Sequence, residues 1–171
     1  SCHFANFELM SMELTKKKIN LATIYRPLNN FFLNPFMEHV RKTYVCRNQI
    51  KKGISGVKQA ISYVQKNFSI ALMIDQRVSE GRKLPFFDYP ALTTTLPSQL
   101  AIKYQLDVVP IYIKRDSNNN FEMEVYEPIK STNNDNTEIN KLNLTLKLNK
   151  IAEQMISKNP GQWIWTHNRW K

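Results

Sequence analysis

Short apolar, β-branched runs recur along this chain between longer stretches whose apolar residues fall at helical spacing, and that alternation limits the folds open to it. Residues 19–25, 69–74 and 108–114 are compact apolar runs and read as buried strands, the first stopped by Pro27. Residues 55–68 set Val57, Ala60, Ile61, Val64 and Phe68 on one stripe behind a capping Ser55, which reads as a helix. Further helices are expected over residues 4–18, 31–44, 93–104 and 138–157. The first ends in Lys16-Lys17-Lys18, which suits the negative pole of a helix dipole. Residues 121–126 alternate apolar and polar behind an Asn-rich turn at 118–120, the pattern of a half-buried strand. Residues 75–90 read as a polar loop, and residues 133–137 as a linker too short to mark a domain boundary. The expected product is one α/β domain of 171 residues, with a mixed, mostly parallel sheet flanked by helices and reactive groups where strands end.

Composition removes several classes of function. No apolar stretch approaches the roughly 18–20 residues of a membrane-spanning helix. The chain opens at Ser1-Cys2-His3 with neither an initiating Met nor a signal-peptide pattern, so an N-terminally incomplete domain is expected, with an anchor upstream. Cys2 and Cys46 form no metal or disulfide framework, and the three histidines are scattered, so neither a metal nor a cofactor is expected. A net charge of +10 favours anionic partners without choosing among nucleic acid, a membrane surface, phosphorylated lipid or an acidic carrier protein.

His3 and Glu8 are the first candidates for chemistry. Five helical steps turn a residue by about 140°, so the two cannot share a face of one continuous helix. They can meet if His3 lies in the loop before the helix and Glu8 in its first turns, with Glu8 accepting from one imidazole nitrogen and the other acting as a general base. The other reading is a partly buried histidine packed between Phe4 and Phe7. A Cys2 nucleophile with His3 as its base is sterically poor, because adjacent side chains in extended backbone point to opposite faces.

The segment Ser-Cys-His-Phe-Ala-Asn-Phe-Glu resembles the His-x4-Asp/Glu block of the lysophospholipid acyltransferase superfamily, and most of all the lipid A biosynthesis lauroyl/myristoyl acyltransferases. Four further blocks follow in that family's order: Ile24-Tyr25-Arg26-Pro27 with Asn29 and Asn30; Met73-Ile74-Asp75-Gln76 with Gly81 and Leu84-Pro85-Phe86-Phe87; Asp107-Val108-Val109-Pro110-Ile111; and the segment from Pro160 to Trp170. The likeness spans the whole chain. It implies a glycerolipid-acyltransferase-like fold and transfer of a fatty acyl group from acyl carrier protein to a hydroxyl of a Kdo-bearing lipid A precursor. The setting it implies is the cytoplasmic face of the bacterial inner membrane, with no nucleic acid as partner.

The resemblance makes His3 and Glu8 the expected catalytic pair. The expected substrate-binding residues are Asn6, beside a helix N-terminus, Arg26, placed to grip phosphate, Asp75 and Gln76 at a strand end, and Arg82. Asp-Gln stands where glycerolipid members carry Pro-Glu-Gly, so only proximity to substrate carries over for that pair. Trp163, Trp165 and Trp170 read either as interfacial anchors or as packing residues. Two alternatives stay open: acylation of another lysolipid or glycolipid, and a basic module that binds nucleic acid or an anionic membrane.

Overall fold

The computed structural model describes residues 1–4, 6–130 and 137–171, and its contacts divide the chain into two compact units, residues 7–72 and residues 1–6 with 73–171. Both units mix helices with strands, so the chain is α/β, as the alternation predicts. Residues 133–136 of the expected linker lie outside the described residues.

The unit of residues 7–72 is built on a parallel three-stranded sheet. Its elements are α1 (Glu8–Lys16), β1 (Leu21–Tyr25), α2 (Leu33–Val40), a π-helical turn (Arg41–Val45), β2 (Asn48–Lys51), α3 (Ile54–Gln65) and β3 (Ser69–Ala71). β1 is central, with Ala22 opposite Asn48 on one side and Ile70 on the other. Successive side chains of β1 point to opposite faces, so Leu21 joins Val45, Cys46, Met12 and Leu14 while Ala22 joins Ile50, Ala60, Tyr63 and Phe68. α3 seats closely on β2. A Cβ on Gly56 would lie 1.9 Å from the Lys51 carbonyl oxygen, so only glycine permits that approach.

The other unit holds β4 (Arg82–Phe86), β5 (Tyr89–Thr93), α4 (Leu96–Tyr104), β6 (Ile111–Arg115), β7 (Phe121–Val125), α5 (Thr137–Lys158) and a final 3-10 turn (Pro160–Gln162). β4–β5 and β6–β7 are antiparallel hairpins. α5 packs Leu144 and Leu148 against Ala101 and Ile129. It also satisfies polar groups of the first hairpin: Asn149 Nδ2 donates to the Pro85 carbonyl (2.8 Å), and Glu153 Oε1 accepts from the Phe87 N–H (2.8 Å).

Several sequence expectations are corrected. The strands of the described residues form three separate sheets, one parallel and two antiparallel, where one mostly parallel sheet was expected. The helix expected from residue 4 begins at Glu8, because Phe4 is buried in an antiparallel bridge with Trp163 and Asn6 takes a left-handed φ of 62°. Residues 75–90 contain β4 and the start of β5, joined through Phe87 and Asp88 at positive φ. Gly81 admits that hairpin, since a Cβ there would fall 2.5 Å from the Thr93 carbonyl oxygen. The helix expected over residues 31–44 exists as α2, but its apolar stripe buries no residue.

Candidate active site

His3 is positioned by a short extended segment held on both sides. The Ile74 N–H donates to the Ser1 carbonyl (3.0 Å), the Ile164 N–H donates to the His3 carbonyl (3.0 Å), and Phe4 bridges Trp163. Phe4 anchors the segment by burying its ring edge-on against Tyr112, centroids 4.8 Å apart. The backbone at His3 is therefore fixed before any contact of the imidazole itself is counted.

Asp75 then takes hold of His3 twice. Its Oδ2 accepts the His3 backbone N–H at 2.8 Å, and its Oδ1 lies 2.7 Å from His3 Nδ1. Trp163 Nε1 donates to the same Oδ2 at 2.7 Å. Asp75 is only 2% exposed. Burial pushes its carboxyl up, but hydrogen bonding and charge from His3, with the indole N–H of Trp163, outweigh burial and hold it below the ordinary carboxylate value. An ionised Asp75 can only accept, so His3 Nδ1 carries the hydrogen of this contact, and in the neutral ring the lone pair then falls on Nε2. That is the tautomer of a general base held in place by a carboxylate.

The resemblance makes Glu8 the expected orienting carboxylate, while the one described on His3 Nδ1 is Asp75, 72 positions away. Glu8 opens α1 in the unit of residues 7–72, where its Oε1 accepts from Arg41 Nε at 2.7 Å. Arg41, which no sequence signal marks, also places its guanidinium 5.5 Å from the Tyr25 ring centroid. In the same unit, Arg26 is exposed just beyond β1. Among the remaining expected residues, Asn6 is exposed in a turn, Gln76 is half-buried next to Asp75, and Arg82 is exposed at the start of β4 opposite Thr93.

Burial and the charge of Asp75 push the Cys2 thiol up, and Cys2 is fully buried. It is a packing residue with no thiolate to offer. Trp163 is buried and Trp170 donates its indole N–H to the Phe86 carbonyl (2.9 Å), so both pack, while Trp165 is exposed. The sequence marks Arg169 only as part of the segment from Pro160 to Trp170, with no sign that it is completely buried. Arg169 donates to the Leu92 carbonyl (2.6 Å) and Thr93 Oγ1 (2.7 Å), with its guanidinium 4.8 Å from the Phe86 ring centroid. Burial lowers its pKa to about 10, opposed by the charge of Asp75. No group of three or more His, Cys, Asp or Glu among the described residues could hold a metal ion.

A histidine whose Nδ1 faces a buried aspartate, on an α/β scaffold, has the geometry from which an imidazole can accept a proton. The chain belongs to the bacterial lipid A biosynthesis acyltransferase family, whose model matches residues 1–171. Its activity is acyl transfer, its partners in general terms are an acyl donor and a lipid A-type acceptor, and membership fits an enzyme associated with the inner membrane. No curated protein matches the chain with significant similarity. Among the described residues, no helix is long and apolar enough to cross a membrane.

Proposed function

We propose that residues 1–171 act as one catalytic domain that transfers a fatty acyl group from an acyl carrier protein thioester to a hydroxyl of a Kdo-bearing lipid A precursor, with His3 as general base. His3 Nε2 takes the acceptor's proton as its oxygen attacks the thioester carbonyl. Collapse of the tetrahedral intermediate forms the ester and breaks the C–S bond, and the imidazolium returns its proton to the leaving thiolate. No acyl-enzyme is needed. The observation that carries this reading is the double grip of Asp75 on His3. The imidazolium formed during transfer is stabilised by a buried carboxylate that needs no reorganisation.

Glu8 enters as the acid of the family's His-x4-Asp/Glu block, through the resemblance rather than a described bond to His3. Arg26, exposed and always charged, suits the acceptor's phosphate, with Asn6, Gln76 and Arg82 as further substrate contacts. The acidic carrier protein and an anionic membrane surface both suit the basic chain, and the cytoplasmic face of the inner membrane is where these substrates meet. The test offers acyl carrier protein thioester with either the lipid A precursor or a lysophospholipid. Transfer to the first alone is expected; transfer to the lysophospholipid alone would move the reading to a different acceptor.

A further inference from the structure

α2 is amphipathic in sequence, yet no residue of it is buried. Phe31 is 83% exposed, Phe32 86%, Leu33 53% and Phe36 63%, with Tyr44 at 67% on the following turn. Phe36 lies four residues from Phe32 and three from Leu33, so the three share one helix face, and Phe31 stacks edge-on against Phe32 with centroids 5.9 Å apart. Single exposed apolar residues are ordinary, but a cluster of three phenylalanines and a leucine marks an interaction site.

The turn that presents them is well built. Asn30 Oδ1 accepts from the N–H groups of Phe32 (3.0 Å) and Leu33 (3.1 Å), and Asn34 Oδ1 accepts from the Leu28 N–H (2.8 Å). The rings are thus held outward by satisfied backbone. Charge identifies what they meet. Residues 7–72 carry eight lysines, three arginines, three glutamates and no aspartate, a net +8 of the chain's +10. Exposed Arg26, Lys42, Arg47, Lys51 and Lys52 flank the cluster in sequence. Aromatic and aliphatic side chains on a strongly cationic unit fit a bilayer interface, where rings enter the acyl boundary and cations meet anionic headgroups.

We infer that Phe31, Phe32, Leu33 and Phe36 form a wedge by which residues 7–72 insert into the surface of an anionic bilayer. The inference rests on the reading that the acceptor is a membrane lipid, and it assigns the membrane contact to a segment with no catalytic role.

The test is co-sedimentation of the 171-residue chain with phosphatidylglycerol-rich and with purely phosphatidylcholine vesicles, beside a Phe31→Ser/Phe32→Ser variant and, separately, Phe36→Ser. Transfer to detergent-dispersed acceptor and gel-filtration size are measured in parallel. These rings are exposed, so the variants should keep the parent's melting temperature. The parent is expected to bind anionic vesicles preferentially, as a monomer, and the double variant to bind about tenfold or more weakly while keeping its transfer activity in detergent. Equal binding by parent and double variant, no binding by the parent, or no preference for anionic lipid would overturn the wedge. A parent dimer that falls apart in the double variant would give the face to a second copy instead. Loss of transfer by the parent in detergent would sink the catalytic reading, and the vesicle result would still decide the wedge.

Discussion

At the scale of single residues, the centre of this molecule is a buried carboxylate that the sequence marks only as near substrate. Asp75 accepts three hydrogen bonds, and replacing it with Asn should leave the fold while removing the charge that fixes His3. The expected loss in kcat is about a thousandfold or more, read by steady-state transfer assays on the folded variant. Asp75 also links stability to acid. Its folded pKa lies below the unfolded value, so its contribution is complete above the unfolded pKa and is lost as pH falls through the folded one. The melting temperature of the parent should therefore fall more steeply below about pH 4 than that of Asp75→Asn. Arg169 makes a different prediction. Replacing it with Met removes one of the donors to the Leu92 carbonyl and one of those to Thr93 Oγ1, at a cost of about 2–4 kcal/mol in chemical denaturation.

At the scale of elements, the parts read well from the sequence are those whose pattern repeats over several turns. α3 and α5 show their stripes plainly, and β1, β6 and β7 show β-branched or alternating runs. β4 was hidden because Arg82, Lys83 and Pro85 resemble a solvated loop, and its pairing with β5 depends on α5, which supplies Asn149 and Glu153 from more than 60 residues away. The site divides in the same way. His3 was legible as a candidate from its neighbours, whereas its Asp75 partner depends on a contact that local spacing cannot reveal. The stripe of α2 was legible too, but periodicity says only that a helix has an apolar face, not whether the protein or a membrane covers it. Gly56 tests the packing of α3 on β2. Gly56→Ala forces the helix away from Lys51, and the variant should be strongly destabilised, by about 2 kcal/mol or more in urea unfolding.

At the scale of the whole molecule, charge and chemistry are distributed unevenly. Residues 7–72 hold most of the net positive charge and the exposed cluster of Phe31, Phe32 and Phe36, while residues 1–6 with 73–171 hold His3, Asp75 and Trp163. On the proposed reading, acylation of a membrane lipid calls for both a basic, lipid-compatible surface and a general base, and the two candidates come from different sets of elements. Trp163 ties the C-terminal segment to Asp75. Trp163→Phe keeps most of the packing but removes one donor to Asp75, and kcat should drop with a smaller change in KM. The most direct measurement is acyl transfer from carrier-protein thioester to lipid A precursor by the parent, His3→Ala and Asp75→Asn, each verified as folded by circular dichroism. His3 as a base fixed by Asp75 predicts transfer by the parent, none measurable for His3→Ala, and a greatly reduced kcat for Asp75→Asn. Undiminished transfer by folded His3→Ala would contradict it.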